Sequence, residues 1–532
     1  MPQSNRQPAT SLRAWQERAL VAMRSWSEGP FLVAAAPGAG KTRPALRYAR
    51  EQLKTGAVRR VAVVCPTTPL TRQWARAAAR MGVHLVPDAA ELRPPRDFSG
   101  VAVTYARVAG VAERWSRQCG GATLVIADEA HHLGEELAWG EGFAHAFGAT
   151  TRWLLLSGTP FRSDQCPIPG VRYDDGVAAP QVSYSYADAV RDGVCRPLTF
   201  VPYDGVLQWR SGEELVESAF ADAVTAREAG RRYRTAISLE LADGLPRILA
   251  AAHERLEQVR AGGHHDAGGL VVAADGEHAR AVAKALRAIT GRPPTVVLHT
   301  EARAAEKLQA FTRSSERWLV AVNMVSEGVD IPRLRVGVYA TAAKTPLIFR
   351  QIVGRFVRTL PGRALEPSWL FLPADPVLRA HAAEVERELR HVLRPPVQDE
   401  GFAPDEVEER RRAERDEAAA FVPVAADVAP QMALFGPAHP PPTAGPPAPT
   451  PSFPSALDQP DEATMPTFER RALLRDKRHR LVADLRRSQG GTHAEINRWL
   501  NRSSGARRVE DASIEQLERS IEMLLVRLSG RR

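Results

Sequence analysis

The chain contains two series of short apolar runs, and each run is followed by a segment with helical periodicity. The runs of the first series are 31–36, 61–65, 101–104, 124–127 and 153–156, and those of the second are 269–273, 295–298, 319–322, 336–339 and 369–372. Continuous apolar runs of this length are typical of strands buried on both faces, and strands that alternate with helices form parallel sheets. The sequence therefore predicts an α/β fold with two parallel-sheet lobes.

The remaining segments differ in composition from these two lobes. Residues 201–264 show a helical period and no clear strand, which predicts a helical connecting segment. Residues 395–465 are first acidic and then proline-rich, which predicts a disordered linker. Residues 466–532 contain three amphipathic helical patterns and predict a small all-α module. We therefore expect lobes over 1–200 and 265–394, with the other three segments as separate parts.

The net charge of +9 is unevenly distributed along the 532 residues. Residues 1–394 carry 51 basic and 40 acidic side chains (+11), residues 395–465 carry 4 and 13 (−9), and residues 466–532 carry 16 and 9 (+7). A basic body suits binding to a phosphate backbone. A solvated, arginine-rich surface with only 6 lysines has the same composition. Charge alone leaves both interpretations open.

Composition also argues against several classes of protein. The four cysteines, Cys65, Cys119, Cys166 and Cys195, form no C-x-x-C pair, which disfavours a disulfide framework or a cysteine-rich zinc site. The first fifteen residues lack the apolar stretch of a signal peptide. No apolar run approaches the roughly 20 residues that a membrane span needs. We therefore expect a cytoplasmic protein without membrane contact.

A phosphate-binding loop is the sharpest local signal. It lies between the first apolar run and a helical segment and consists of Ala35, Ala36, Pro37, Gly38, Ala39, Gly40, Lys41 and Thr42. In this position, backbone N–H groups and the helix N-terminus point at a phosphate. Lys41 would reach the β- and γ-phosphates of a nucleotide, and Thr42 would offer its hydroxyl to Mg²⁺. Ala35 stands where the general pattern has its first glycine.

A pair of carboxylates follows the fourth apolar run of the first series. Asp128 and Glu129 come directly after the run, and His131 follows them. A carboxylate at the end of a buried strand is well placed to hold Mg²⁺, and its neighbour can polarise the attacking water. We assign Asp128 to the metal and Glu129 to the role of general base.

Together these residues resemble a superfamily 2 helicase of the DEAH type, in the branch of the type III restriction motor subunits and the excision-repair helicases. The segments that carry the resemblance are 12–16, 35–42, 64–74, 128–131, 156–160, 322–332 and 351–358, in the order of the family's motifs. The resemblance implies two RecA-like lobes that use ATP and Mg²⁺. It also implies that nucleic acid, with DNA favoured over RNA, is the partner.

The resemblance assigns roles to individual residues. It implies that Gln16 reads adenine and that Gly328, Asp330 and Gln351 belong to the nucleotide site. It implies that His131, Ser157 and Thr159 couple hydrolysis to movement, and that Thr67, Thr104 and Ser326 contact nucleic acid. Arg355 and Arg358 match the family's arginine motif. Because they are three residues apart, they would share one face of a helix and could both reach the γ-phosphate.

The sequence favours an ATP-dependent DNA helicase or translocase. An RNA helicase or remodelling ATPase remains open, since the same motor serves both. A third possibility is a nucleic-acid-binding scaffold with a degraded motor that recruits a nuclease or repair partner, for example through residues 466–532. The intact Lys41, Asp128, Glu129, Arg355 and Arg358 argue against that decay.

Overall fold

The computed structural model describes residues 12–27, 29–135, 137–150, 152–158, 167–174, 177–211, 214–298, 301, 303–322, 331–360, 366–393, 421–430 and 465–529. The chain divides into two compact units. The first comprises the described residues of Met1–Ala35, Gly40–Ser183 and Pro442–Arg532, and the second comprises those of Ala36–Ala39 and Tyr184–Pro441.

The first unit is built on a seven-stranded sheet. Its strands are β1 (Phe31–Ala35), β2 (Arg60–Cys65), β3 (Leu85–Pro87), β4 (Gly100–Thr104), β5 (Thr123–Asp128) and β6 (Trp153–Ser157), then, after a separate pair β7 (Tyr173–Asp174) and β8 (Val177–Ala178), β9 (Val182–Tyr184). Their order is β3-β4-β2-β5-β6-β1-β9, and the pairs from β3 to β1 are parallel. We call the edge where these parallel strands end the carboxyl edge, and the opposite edge the amino edge.

Helices connect these strands and cover the sheet. They are α1 (Ala14–Arg24), α2 (Thr42–Thr55), α3 (Thr68–Arg80), α4 (Tyr105–Gly110), α5 (Ala112–Gln118), α6 (His132–Glu135) and α7 (Leu137–Phe147). The strands are apolar throughout because both faces are covered: all six residues of β5, for example, are buried. Burial of about 25 cal/mol per Å² of apolar surface is the main stabilising term of such a layer.

The second unit holds an eight-stranded sheet. Its strands are β10 (Leu198–Ser211), β11 (Glu214–Ser218), β12 (Gly268–Ala273), β13 (Thr295–Val297), β14 (Trp318–Val322), β15 (Leu334–Ala340), β16 (Ser368–Pro373) and β17 (Phe421–Pro430). The order is β11-β10-β16-β15-β12-β14-β13, and β17 pairs with β10. Its helices are α8 (Tyr186–Arg191), α9 (Ala226–Ala236), α10 (Leu245–Ala261), α11 (Gly276–Thr290), α12 (Ala304–Arg313), α13 (Pro346–Phe356) and α14 (Pro376–Leu393).

The structure confirms the α/β class and all ten predicted strands, each within two residues of its expected bounds. Two segments differ from the prediction. The expected helical connection over 201–264 begins with strand, because Leu207 and Trp209 are buried while Val206 is exposed, which is the period of a strand. The described part of the expected linker contains β17, which pairs antiparallel with β10. Backbone hydrogen bonding along β10 thus stabilises a strand in a segment of weak hydrophobic pattern.

The predicted all-α module is confirmed as three helices, α15 (Thr467–Gln489), α16 (His493–Ser504) and α17 (Ile514–Leu528). A short 3₁₀ turn, Val509–Asp511, lies between the last two. Its buried core consists of Val482, Leu485, Ile496, Leu500 and Leu524, with Trp499 packed against it. The capping box of α17 is present, since Ser513 and Gln516 each accept a hydrogen bond from the other's backbone N–H.

Three further observations concern the described residues alone. None of their helices is long and apolar enough to cross a membrane. Cys65, Cys119 and Cys195 form no disulfide with one another, and Cys166 lies outside the described residues. Within the described ranges, no group of three or more His, Cys, Asp or Glu side chains is placed to hold a metal ion.

Candidate active site

The phosphate-binding loop joins the carboxyl end of β1 to the first turn of α2. Gly38 and Gly40 adopt φ angles of 80° and 89°, a region that side-chain-bearing residues rarely enter. A Cβ at position 40 would also stand 2.9 Å from Gln16 Nε2. The tight turn and this close approach explain why both positions are glycine. The loop therefore has the backbone form that a phosphate cradle requires.

Gln16 lies against this loop. Its side-chain Nε2 donates a hydrogen bond of 3.0 Å to the carbonyl of Gly40, and its Oε1 accepts one of 2.9 Å from the backbone N–H of Arg13. The residue is 1% exposed. Gln16 thus ties the start of α1 to the loop, a contact that the sequence did not indicate. Its role toward adenine stays a prediction.

Lys41 brings the loop and the carboxylate pair together. Its Nζ donates hydrogen bonds to the carbonyl of Ala35 at 3.3 Å and to Glu129 Oε1 at 3.4 Å. The two residues are 88 positions apart in the chain. They meet because β1 and β5 both end at the carboxyl edge of the same sheet. The sequence-predicted lysine and general base therefore lie in ion-pair contact.

Asp128 is the last residue of β5 and is held by two aromatic side chains. Trp74 Nε1 donates a hydrogen bond of 2.7 Å to Asp128 Oδ2, and the hydroxyl of Tyr105 donates one of 2.8 Å to the backbone carbonyl of Asp128. Both bonds are buried. Asp128 Oδ1 accepts a third bond, at 3.2 Å, from the backbone N–H of Glu129. Two hydrogen bonds therefore orient the carboxylate of Asp128, and the bond from Tyr105 holds its backbone.

The backbone of Glu129 is unusual, with a φ of 50° in the left-handed region. A non-glycine residue there costs on the order of 1–3 kcal/mol, and such strain is concentrated at functional sites. The carboxylate of Glu129 reaches Lys41 through Oε1 and accepts a hydrogen bond of 3.3 Å from the backbone N–H of Gly158 through Oε2. The turn thus directs Glu129 toward the phosphate loop and the end of β6.

The two neighbouring carboxyl groups differ in pKa. Burial raises the pKa of Asp128 to about 6, and the charge of Glu129 adds to this effect, while Lys41 and the hydrogen bond from Trp74 oppose it. Burial also acts to raise the pKa of Glu129, but the charges of Lys41 and the neighbouring histidines lower it to about 2. Glu129 is therefore ionised at neutral pH, as a base must be. Two neighbouring carboxyl groups whose pKa values are shifted in opposite directions are typical of an active site.

A magnesium ion is implied by the phosphate loop and the carboxylate pair, and the residues fit one. Mg²⁺ prefers carboxylate and hydroxyl oxygens. Each side-chain oxygen of Asp128 accepts one hydrogen bond, and a carboxylate has about four acceptor positions, so coordination capacity is left. Thr42 supplies a hydroxyl at the first residue of α2. Asp128 and Thr42 are the residues that would hold the ion.

The predicted coupling residues are partly described. His131 Nδ1 lies 3.2 Å from Ser157 Oγ and 3.6 Å from Glu129 Oε2. Both His131 and Ser157 are buried. This contact joins the ends of β5 and β6 next to the general base. Thr159 lies outside the described residues.

The predicted nucleic-acid contacts occupy helix starts at the carboxyl edge. Thr67 is the N-cap of α3, and its hydroxyl makes no hydrogen bond within the described residues. Thr104 is the N-cap of α4, and its hydroxyl accepts a bond from the N–H of Arg107. Ser326, together with Gly328 and Asp330, lies outside the described residues.

The arginine motif departs from the expected geometry. Arg355 lies in the last turn of α13 and is 8% exposed, and Gln351 lies in the middle of the same helix. Arg358 does not share that helix face, because α13 ends at Phe356 and Arg358 instead forms a β-bridge with Cys195. The expectation of one shared helix face is therefore wrong. Gly38 belongs to the same unit as Arg358. If position 38 carried a side chain, its Cβ would lie 3.3 Å from Cγ of Arg358.

Comparison with known proteins identifies the family. The sequence family of the type III restriction enzyme res subunit matches residues 9–162, and the family of the helicase conserved C-terminal domain matches residues 272–359. An uncharacterized protein of Mycobacterium tuberculosis is 44% identical over 406 residues, which are 74% of this chain and 66% of that protein. An uncharacterized protein of Mycobacterium leprae is 43% identical over 398 residues, which are 72% of this chain and 65% of that protein. The chain thus spans slightly less than two thirds of the length of these relatives.

Among solved structures, the chain resembles a fragment assigned as the HsdR subunit of a type I restriction enzyme from Vibrio vulnificus. The TM-score is 0.49 at 17% identity, over 69% of this chain and 64% of that one. Both family models occur in the order that two helicase lobes require, the first on the phosphate loop and carboxylate pair and the second on the arginine motif. They identify the chain as a superfamily 2 helicase that resembles the motor branch of the type III restriction enzymes.

Proposed function

We propose that this chain hydrolyses ATP with Mg²⁺ and uses the reaction to move along DNA. The observation that supports this most directly is the 3.4 Å contact between Lys41 and Glu129, beside the buried Asp128. A lysine from a phosphate loop and an ionised carboxylate at the end of a neighbouring strand are the groups that phosphoanhydride hydrolysis needs.

Each residue has a distinct part in this proposal. Lys41 binds the β- and γ-phosphates in place of its present bond to Glu129. Glu129 is ionised at neutral pH, and loss of its contact with Lys41 raises its pKa, so that it can orient a water molecule and accept its proton. A bound Mg²⁺ supplies positive charge that stabilises the leaving phosphate oxygens. Arg355 and Arg358 stabilise the negative charge of the γ-phosphate with their guanidinium groups. Thr67, Thr104 and Ser326 contact the nucleic-acid backbone.

The family membership supports the link to nucleic acid, and the choice of DNA over RNA rests on the resemblance to restriction motors. The experiment is an ATPase assay of the full chain with double-stranded DNA, single-stranded DNA or RNA. We expect stimulation by DNA. Stimulation by RNA alone would contradict the DNA assignment and favour a remodelling ATPase.

Two variants test the hydrolytic roles. Lys41→Ala removes the phosphate contact, so both ATP binding and turnover should fall. Glu129→Gln keeps the size of the side chain but removes the base, so turnover should fall by about 100-fold or more while ATP binding persists. Unchanged turnover in either variant would contradict the mechanism. If the cellular phenotype survived both changes, the motor would be dispensable and the scaffold hypothesis preferred.

A further inference from the structure

The C-terminal module (residues 465–529) is attached to the first unit at its amino edge. Four contacts make the attachment: a 2.7 Å ion pair between Glu469 and Arg76, a 2.9 Å hydrogen bond between Thr467 and His84, a 2.8 Å hydrogen bond from the N–H of Ile514 to Asp97, and the guanidinium of Arg471 over the ring of Phe98. His84 directly precedes β3, and Phe98 lies two residues before β4. Parallel strands begin at the amino edge, so the module lies there.

This position separates the module from the candidate active site. Lys41, Asp128 and Glu129 follow strand ends at the carboxyl edge, and Thr67 and Thr104 lie at the same edge. The strands between the two edges have three to six residues, or about 10–20 Å at 3.3 Å per residue. The module therefore does not line the carboxyl edge. Any ligand that it binds occupies a different site.

A row of basic side chains runs along one face of α15. Arg475, His479 and Arg486 are spaced by four and seven residues, which places them within about 40° of one another around the helix. They span about 16 Å along the axis. Within the described residues, the side chains of Arg475 and Arg486 make no ion pair or hydrogen bond. His479 stacks on His493 of α16, with ring centroids 6.0 Å apart, so α16 forms the other wall beside this row.

A cavity of about 480 Å³ opens beside the same face of α15. Its charged and polar lining consists of Arg475, Asp476, Arg478, His479, Asn497 and Glu510. Arg478 is only 3% exposed, and its guanidinium donates to the amide oxygens of Asn497 at 2.7 Å and Asn501 at 3.1 Å. No carboxylate of the described residues forms an ion pair with it. Glu510 of the same lining acts on Arg478 through its charge, but the hydrogen bonds of the guanidinium go to neutral amides, so it keeps the capacity to attract an anion.

We propose that this face of the module, which we call the basic groove, binds the phosphate backbone of nucleic acid as a second site, separate from the motor. Its residues are Arg475, Arg478, His479, Arg486, His493 and Asn497. A row of cations along a helix matches a regular row of phosphates, and arginine is the side chain best suited to phosphate oxygens. The segment 466–532 has 16 basic and 9 acidic residues, so its long-range field attracts the same ligand. The inference requires no step of ATP hydrolysis.

The test measures how salt affects binding of a fluorescent 30-base-pair DNA duplex to the full chain without nucleotide. The double variant Arg475→Gln/Arg486→Gln removes two phosphate contacts. The slope of log affinity against log salt should therefore become shallower by about 2, with an affinity loss of about tenfold at 0.1 M salt. The matched control is Arg487→Gln/Arg519→Gln, which removes two charges from the same module. These two arginines are already paired with Asp484 and Glu515.

The control should retain the wild-type slope. Equal slopes for the two double variants would overturn the proposal. Polyglutamate serves as a second ligand in the same assay. If Arg475→Gln/Arg486→Gln weakened binding of polyglutamate but not of DNA, the proposal would also be overturned, and the groove would instead bind an acidic protein. A single-stranded RNA of equal length shows whether the groove distinguishes the two nucleic acids. ATP turnover without nucleic acid should be unchanged in both double variants. If the wild-type chain hydrolysed no ATP, the proposed function would be contradicted, but the proposal of the basic groove would not be affected.

Discussion

The hydrogen bond from Trp74 to Asp128 predicts a measurable change in the pH dependence of ATP hydrolysis. Trp74→Phe keeps an aromatic ring in a site that is 2% exposed but removes the Nε1–H that donates to Asp128. A hydrogen bond to a charged group contributes about 1.5–3 kcal/mol, and about 1.4 kcal/mol corresponds to one pH unit of pKa. This bond stabilises the ionised carboxylate, so its loss raises the pKa of Asp128 further, by about one to two pH units.

The consequence follows from the starting pKa of about 6. At pH 7, Asp128 is mostly ionised in the wild type. In the variant, the ionised fraction falls about two- to tenfold, whereas at pH 9 both proteins are almost fully ionised. Because kcat/KM reports the free enzyme, its acid limb should move to higher pH in Trp74→Phe. The defect should be nearly absent at pH 9.

The matched control is Trp115→Phe. Trp115 is fully buried in the same unit, and its Nε1 has no hydrogen-bond partner within the described residues. ATP itself titrates in this range, but equally for all three proteins. An acid limb of Trp74→Phe that coincides with those of the wild type and Trp115→Phe would refute the reasoning. A defect of equal size at pH 7 and pH 9 would instead indicate a change in packing.

Three further predictions concern other parts of the chain. Gly40→Ala should raise the KM for ATP about tenfold, because position 40 has a φ of 89° and its new Cβ would stand 2.9 Å from Gln16 Nε2. The control Gly56→Ala has a similar φ of 73° but open space around it, and its KM should be unchanged. Ser157→Ala should reduce nucleic-acid stimulation of turnover more than basal turnover, measured as their ratio, because the hydroxyl of Ser157 lies 3.2 Å from Nδ1 of His131. Arg333→Met should destabilise the second unit by about 2–4 kcal/mol in thermal unfolding, since a buried guanidinium that donates to three backbone carbonyls is lost.

The strands of both sheets could be predicted because fully covered parallel strands are almost entirely apolar, as β5 and β14 are. The start of β10 follows the same rule, but its later half alternates between buried and exposed residues. The pattern of β17 is weaker still, because a strand that joins an edge obtains its stability from backbone hydrogen bonds. Such bonds depend on what lies beside the segment, which local sequence does not record.

The candidate site divides in the same way. That Lys41 and Glu129 come together could be predicted, since they follow parallel strands of one sheet. The left-handed backbone of Glu129 could not, because no local residue type requires it. The position of Arg358 could not be predicted either. A spacing of three residues indicates a shared helix face only where the helix continues, and α13 ends at Phe356. Motif spacing thus predicts which residues meet but not the backbone that presents them.

Asp128 links the predicted metal site to the predicted nucleic-acid contacts. Trp74 lies on α3, which begins after Thr67, and Tyr105 is the first residue of α4, which begins after Thr104. Both aromatic residues donate buried hydrogen bonds to Asp128. A shift of α4 would therefore move the backbone of Asp128, and a shift of α3 would change the pKa of its carboxylate. Because a hydrogen bond weakens steeply with angle and distance, a rotation of α3 that breaks the bond from Trp74 would raise the pKa of Asp128. Under the proposed function, these two bonds would connect the predicted nucleic-acid contacts to the predicted metal site within a single lobe.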